Sequence, residues 1–359
     1  MIVTLKGHLQ KGVRVLYRGM VIHWSCPLAL CVLTLHVFAN GQSQADNTFI
    51  KTTHSQSLPK MPPAVTQNNG QSPDSVLYRA KPEREVPMNS LLQSLKPNQR
   101  KGSKPRCHLL TRGTREQVAE RLTKLIAPWG LVSATDKWMP QGFEDATEAQ
   151  LHNAQRLLDI DPYGQALKSW WLADAGPTSV TPNWDIASTC TIDGRRGLLL
   201  VEAKAHDGEL KQDDRCGASS KRNFEQIGQA INAANDGLNK LQDGWNLSHE
   251  SHYQLCNRFA WSWKLATLGI PVVLVYLGFL NADEMRNPFT DGQSWDNAVR
   301  DYARNCVPES VWSSKLMVDE TPIYPLIRSK KIRLNSIDGP IDEIDVDVKG
   351  GIEVYEGRP

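Results

Sequence analysis

Apolar residues return at helical spacing in some stretches of the chain and as unbroken or alternating runs in others. From Thr114 to Ile126, Val118, Leu122, Leu125 and Ile126 share one stripe, and Thr114 with Gln117 forms a capping-box pair, so a helix is expected there. A second helix is expected from about Thr147 to Leu158 and a third over Tyr163–Leu172, after which Pro177 and Pro182 mark a loop. Asn223 to Leu241 places Phe224, Ile227, Ile231, Ala234, Leu238 and Leu241 on one face, with Asn223 and Gln226 able to cap its start. His252 to Leu268 is apolar nearly all round and stops at Gly269.

The strand signals fall between these helices. Trp184–Ile192 and Gly197–Lys204 flank Asp193-Gly194, a strong hairpin turn. Leu198–Val201 is apolar on both faces, as a central, doubly covered strand would be. Pro271–Leu277 reads as a second buried strand. The apolar stretch from Phe259 to Leu280 is long enough to suggest a membrane span, but Lys264 interrupts it and Gly269 with Pro271 breaks it. A buried helix followed by a buried strand is expected instead, and no membrane partner. Near the end, Ile344, Val346 and Val348 alternate with Asp345 and Asp347 before Gly350-Gly351, a pattern for a solvated C-terminal β-hairpin with one acidic face.

Charge adds a division of the chain. The whole carries a net +2, yet residues 1–105 hold 13 Lys+Arg against 4 Asp+Glu, so a basic arm precedes a mildly acidic body. Residues 40–105 are rich in Gln, Ser, Asn, Pro and Lys without a periodic apolar face, the composition of a disordered segment. Lys6, Lys11, Arg14 and Arg18 precede an apolar run from about Pro27 to Phe38. Three readings stay open for it: a secretory signal, a membrane anchor, or an unstructured extension. The expected organisation is a leader and arm over 1–105, a folded domain over 106–328, and a tail over 329–359. The 7 cysteines are scattered, with no CxxC pair and no zinc spacing, which suits reduced thiols and a cytoplasmic setting, export through the leader being the alternative.

The chemistry gathers on the central hairpin. Side chains two apart on a strand share a face, so Glu202 and Lys204 project together from the end of the Leu198–Val201 run. The hairpin brings Asp185 alongside. Two carboxylates and an ammonium at one sheet edge are what phosphodiester hydrolysis needs: hard oxygen ligands for Mg²⁺ or Mn²⁺, and a cation for the developing charge. A surface ion pair between Glu202 and Lys204 is the plain alternative. Exchanges at both positions are expected to spare the fold. Glu209, Gln226 and His206 are outlying candidates, each with an ordinary structural explanation, and Arg195-Arg196 and Lys221-Arg222 are turns that could meet DNA phosphates.

With Asp185, then Glu202-Ala203-Lys204, in helix–strand–hairpin–helix–strand order, the chain resembles the PD-(D/E)xK, restriction endonuclease-like nuclease superfamily over roughly residues 110–285. The resemblance implies an α/β fold with an αβββαβ core, a mixed sheet flanked by helices. It also implies Mg²⁺ or Mn²⁺ held by Asp185, Glu202 and the Ala203 carbonyl, with Lys204 beside the attacking water and Gln226 assisting from the following helix. One departure stands out: Pro182-Asn183-Trp184-Asp185 replaces the superfamily's adjoining Pro-Asp pair, and Asp193 competes for the aspartate's role. The implied function is DNA cleavage. A homodimer and no small-molecule cofactor are expected. A non-catalytic nucleic-acid-binding protein on the same fold is the alternative.

Overall fold

A computed structural model of the chain describes residues 15–17, 20–22, 88–152, 157, 163–174, 176 and 179–334. The chain divides into two compact units, residues 1–79 and 80–359. In the first, the described residues form a short antiparallel hairpin, β1 (Val15–Tyr17) and β2 (Met20–Ile22), closed by the Tyr17↔Met20 pair. The expected C-terminal hairpin, the apolar leader run and most of the expected disordered arm lie outside the described residues, as do Cys26 and Cys31.

The second unit is α/β, a mixed six-stranded sheet with helices on both faces. Its strands are β3 (Trp138–Met139), β6 (Ile186–Ile192), β7 (Arg195–Lys204), β8 (Val272–Leu280), β9 (Leu316–Val318) and β10 (Thr321–Lys331), in the spatial order β3-β6-β7-β8-β10-β9. The pairs β7–β8 and β8–β10 are parallel, and the others are antiparallel. A separate ribbon joins β4 (Ala149–Gln150) to β5 (Asn183–Trp184).

Alternation along the central strands sorts the helices. Leu198 and Leu200 of β7, with Val272 and Leu274 of β8, pack against α4 (Tyr163–Trp171), α5 (Lys221–Asn239), α6 (Tyr253–Thr267) and α7 (Gly292–Ala303). Leu199 and Val201, with Val273 and Val275, face α2 (Ser103–Leu110) and α3 (Arg115–Ile126). Both faces of β7 and β8 are therefore dry, as their unbroken apolar runs require. The β6–β7 turn takes Asp193 and Gly194 to φ 48° and 73°, the paired left-handed conformation that a two-residue hairpin of native twist demands. On β8, Gly278 lies under the Trp295 ring, where a Cβ would come within 2.4 Å of it.

Several expectations need correction. Residues 147–152 are not helical: Ala149 and Leu151 are buried in alternation and β4 pairs with β5, so the local period is two, not 3.6. Order begins before Arg106, since α1 (Met88–Gln93) leads to a buried Leu95 and α2 starts at Ser103. α5 is capped by Ser220, whose hydroxyl accepts the Asn223 N–H, rather than by Asn223 or Gln226. The stretch Phe259–Leu280 is indeed a helix followed by a strand, and among the described residues no helix is long and apolar enough to cross a membrane. α7 and the β9–β10 hairpin were not foreseen, and β10 runs across residue 328 to Lys331.

Candidate functional site

The pairing of β6 with β7 sets the position of the first carboxylate. Its first register pair is Ile186↔Val201, so Asp185 stands just ahead of β6, beside the part of β7 that β6 no longer covers. There the Asp185 Oδ2 accepts the Ala203 N–H at 2.7 Å, taking the place of a missing strand partner. A strand residue turns its N–H and C=O to the same edge, so the Ala203 carbonyl also faces the Asp185 side.

Glu202 and Lys204 continue the face of Leu198 and Leu200, and meet the first turns of α6. Glu202 is 1% exposed and bound on both oxygens. Lys204 Nζ donates to Oε1 at 2.5 Å, and the Arg258 guanidinium donates to Oε2 at 2.6 Å. Lys204 also donates to Gln254 Oε1 at 2.7 Å. Arg258 reaches back to the Asn183 carbonyl at 2.7 Å and lies 4.4 Å over the Trp184 ring, so one side chain ties β5, α6 and Glu202 together.

The charges respond to this packing. Burial, and then the Glu202 charge, push the Asp185 carboxyl up to about 7, against the pull of Lys204, the Ala203 N–H and Arg258. Burial also pushes Glu202 up, but Arg258 and Lys204 outweigh it and hold that carboxyl below the usual range. Burial disfavours the charged Lys204, yet Glu202 and Asp185 overcome it and raise the ammonium's pKa. Glu202, Lys204 and Arg258 are thus a buried ion-paired set, and beside it the half-buried Asp185 is left short of positive charge.

Beside it opens a cleft of about 320 Å³ lined by Lys204, Gly208, Glu209, Lys211, Asp214, Gln254 and Tyr302. Glu209 sits in the turn after β7, where its Oε2 accepts the Ala205 N–H at 2.6 Å. The structure therefore brings Asp185, Glu202, Ala203, Lys204 and Glu209 together. It does not bring Gln226, whose amide donates to the Trp170 carbonyl at 2.8 Å on α4. Asp193 is engaged at the hairpin tip with Lys315 and the Tyr324 hydroxyl, at 2.8 and 2.9 Å. His206 is bridged through its backbone to Pro288 and does not line the cleft. Arg195 and Arg196 begin β7 and Lys204 ends it, nine strand steps or roughly 30 Å from Arg195, so the hairpin tip and Lys204 cannot meet at one group.

The donors available to a cation are hard oxygens: the second Asp185 oxygen, the Ala203 carbonyl, and the lone pair each Glu202 oxygen keeps beside its ion pair. They fit Mg²⁺ or Mn²⁺ completed by water, not zinc. Among the described residues no three His, Cys, Asp or Glu side chains surround one point, and Cys107, Cys190, Cys216, Cys256 and Cys306 are buried free thiols.

Sequence reasoning missed Arg258 and Gln254. A signal was present: they stand four apart, on one face of a helix most of whose other residues are apolar. Comparison with protein-family models, with curated proteins and with solved structures finds no match.

Proposed function

We propose that this protein is a divalent-cation-dependent nuclease that hydrolyses phosphodiester bonds in DNA, on a core of the PD-(D/E)xK, restriction endonuclease-like kind. One observation carries the reading: Asp185, Glu202 and Lys204 meet at the exit of a buried strand, beside an open cleft. In this reading α3, the β6–β7 hairpin, the α5–α6 crossover and parallel β8 supply the core. A surface ion pair would not be 1% exposed on its carboxylate, nor flanked by a second carboxyl pushed up to about 7.

Mg²⁺ or Mn²⁺, when bound, supplies a Lewis acid for the phosphoryl oxygen and acidifies water. The chain's own residues do the rest. Asp185 gives up its proton near neutrality and then presents a full charge to the cation. Lys204, kept protonated by Glu202, extends its ammonium to the cleft, where it meets a phosphate oxygen and stabilises charge as the bond breaks. Gln254 fixes the direction of that ammonium. Lys211 on the cleft wall is placed for a neighbouring phosphate.

The test is nicking of supercoiled plasmid by the purified protein: cutting with Mg²⁺ or Mn²⁺, none in EDTA, none by Asp185→Asn. The double ion pairing of Glu202 favours a second reading, a nucleic-acid-binding protein that keeps the fold without the chemistry. DNA retention without cutting in either metal would select that second reading.

A further inference from the structure

A carboxylate that serves two metal ions must offer an oxygen to each, and both Glu202 oxygens already carry a cationic side chain, which leaves one lone pair beside each ion pair. Its Oε1 is held by Lys204 and its Oε2 by Arg258, which is itself fixed by the Asn183 carbonyl and the Trp184 ring. Arg258 is 4% exposed and anchored on three sides, so it is built in rather than resting there. From this geometry we propose that the Arg258 guanidinium occupies the place of a second cation, so that the site takes a single divalent ion on the Asp185 side of Glu202. The inference rests on the nuclease reading given above.

Charge balance points the same way. Asp185, Glu202 and Glu209 bring three negative charges when ionised, and Lys204 and Arg258 bring two positive ones. The cluster then carries one negative charge in excess. One divalent ion and one phosphodiester bring it to zero. A second divalent ion would leave a surplus of two positive charges around the buried Glu202, where unbalanced charge is costly. Arg258 is a positioning residue in this scheme: it touches neither phosphate nor water, and acts by holding Glu202 and excluding a competing cation.

The experiment is Mn²⁺ titration of the metal-free full chain, by calorimetry and by electron paramagnetic resonance, with no DNA present. The wild type is expected to bind one Mn²⁺ per chain. Arg258→Gln, with its fold checked by circular dichroism, is expected to bind two, and Arg258→Lys, which keeps the charge, one. Two ions in the wild type, two in Arg258→Lys, or one in a folded Arg258→Gln would each overturn the inference and leave the nuclease reading standing. Should Arg258→Gln not fold, the wild-type and Arg258→Lys counts decide. Absence of any Mn²⁺ binding by the wild type would overturn the nuclease reading itself.

Discussion

The Asp185 carboxylate stands in for a strand: its Oδ2 takes the Ala203 N–H at 2.7 Å at the point where β6 stops covering β7. The same contact satisfies the backbone between Glu202 and Lys204 and fixes the second carboxylate next to the first. A side chain that repairs a strand edge is held more tightly than a loop aspartate would be. Its cost is a charge in a half-buried place beside the Glu202 charge.

That cost gives a pH dependence. The folded-state pKa of Asp185, about 7, lies above the usual value of 3.8. Between roughly pH 4 and 7 the folded chain therefore keeps a proton that the unfolded chain has lost, so stability falls as pH rises across that window. Asp185→Asn keeps an oxygen for the Ala203 N–H and removes the charge. In metal-free buffer it should unfold at a higher temperature than the wild type at pH 8, by on the order of a few kcal/mol of stability, and at a similar temperature at pH 4. Equal midpoints at both pH values would show that Asp185 is not strained by its surroundings.

Glu202 has the opposite sign. Its folded pKa is depressed, so its contribution is present above the usual carboxylate range and is lost as pH falls through the lower folded value. From the sequence, exchange of Glu202 or Lys204 is expected to spare the fold, whereas the burial of Glu202, Lys204 and Arg258 argues for a cost. Glu202→Gln leaves Lys204 and Arg258 buried without their anion and should cost about 3–5 kcal/mol in urea unfolding. Lys204→Ala leaves Arg258 on Glu202 and should cost less. A Glu202→Gln protein as stable as the wild type would show that Glu202, Lys204 and Arg258 are open to water.

A third outcome concerns the edge of the folded unit. A chain beginning at Ala80 keeps Leu95, the Gly102 N–H on Glu284 and the Lys104–Glu148 pair, all of which a chain beginning at Arg106 lacks. The shorter chain should be less stable by about 2–4 kcal/mol, counting one buried leucine and the first turn of α2. Calorimetry of the two shortened chains measures this directly, and coincident melting curves would show that residues 80–105 contribute nothing.

The parts of the fold that could be read in advance are those whose local pattern is also their tertiary role. Asp193-Gly194 needs left-handed backbone wherever it occurs, and Leu198–Val201 is dry on both sides because helices cover both. α5 shows its stripe because one face meets solvent. β10 hid because Pro322 and Pro325 interrupt it and Arg328, Ser329 and Lys330 are polar, although all three are buried. The ribbon of β4 and β5 is two residues long on each side, too short for any period to show.

At the site, Asp185, Glu202 and Lys204 were legible because strand parity and a hairpin decide where they point. Gln226 was misplaced because a helix start does not reveal which neighbour its side chain meets, and it meets Trp170. Arg258 and Gln254 lie about fifty residues beyond the motif, and only the parallel β7–β8 crossover returns α6 to it.

The central claim is that Asp185 serves a phosphodiesterase site, and one comparison tests it most directly. Wild type and Asp185→Asn are incubated with supercoiled DNA at pH 8 in Mg²⁺, Mn²⁺ or EDTA, with folding verified at that pH. Asp185→Asn is the informative variant because in metal-free buffer at pH 8 it should be the more stable of the two, so a folded variant that does not cut has lost chemistry rather than structure. Nicked DNA is expected from the wild type in either metal, none in EDTA, and a fall of at least about 10²-fold in the folded variant. Cutting that survives EDTA, or equal cutting by Asp185→Asn, would contradict it.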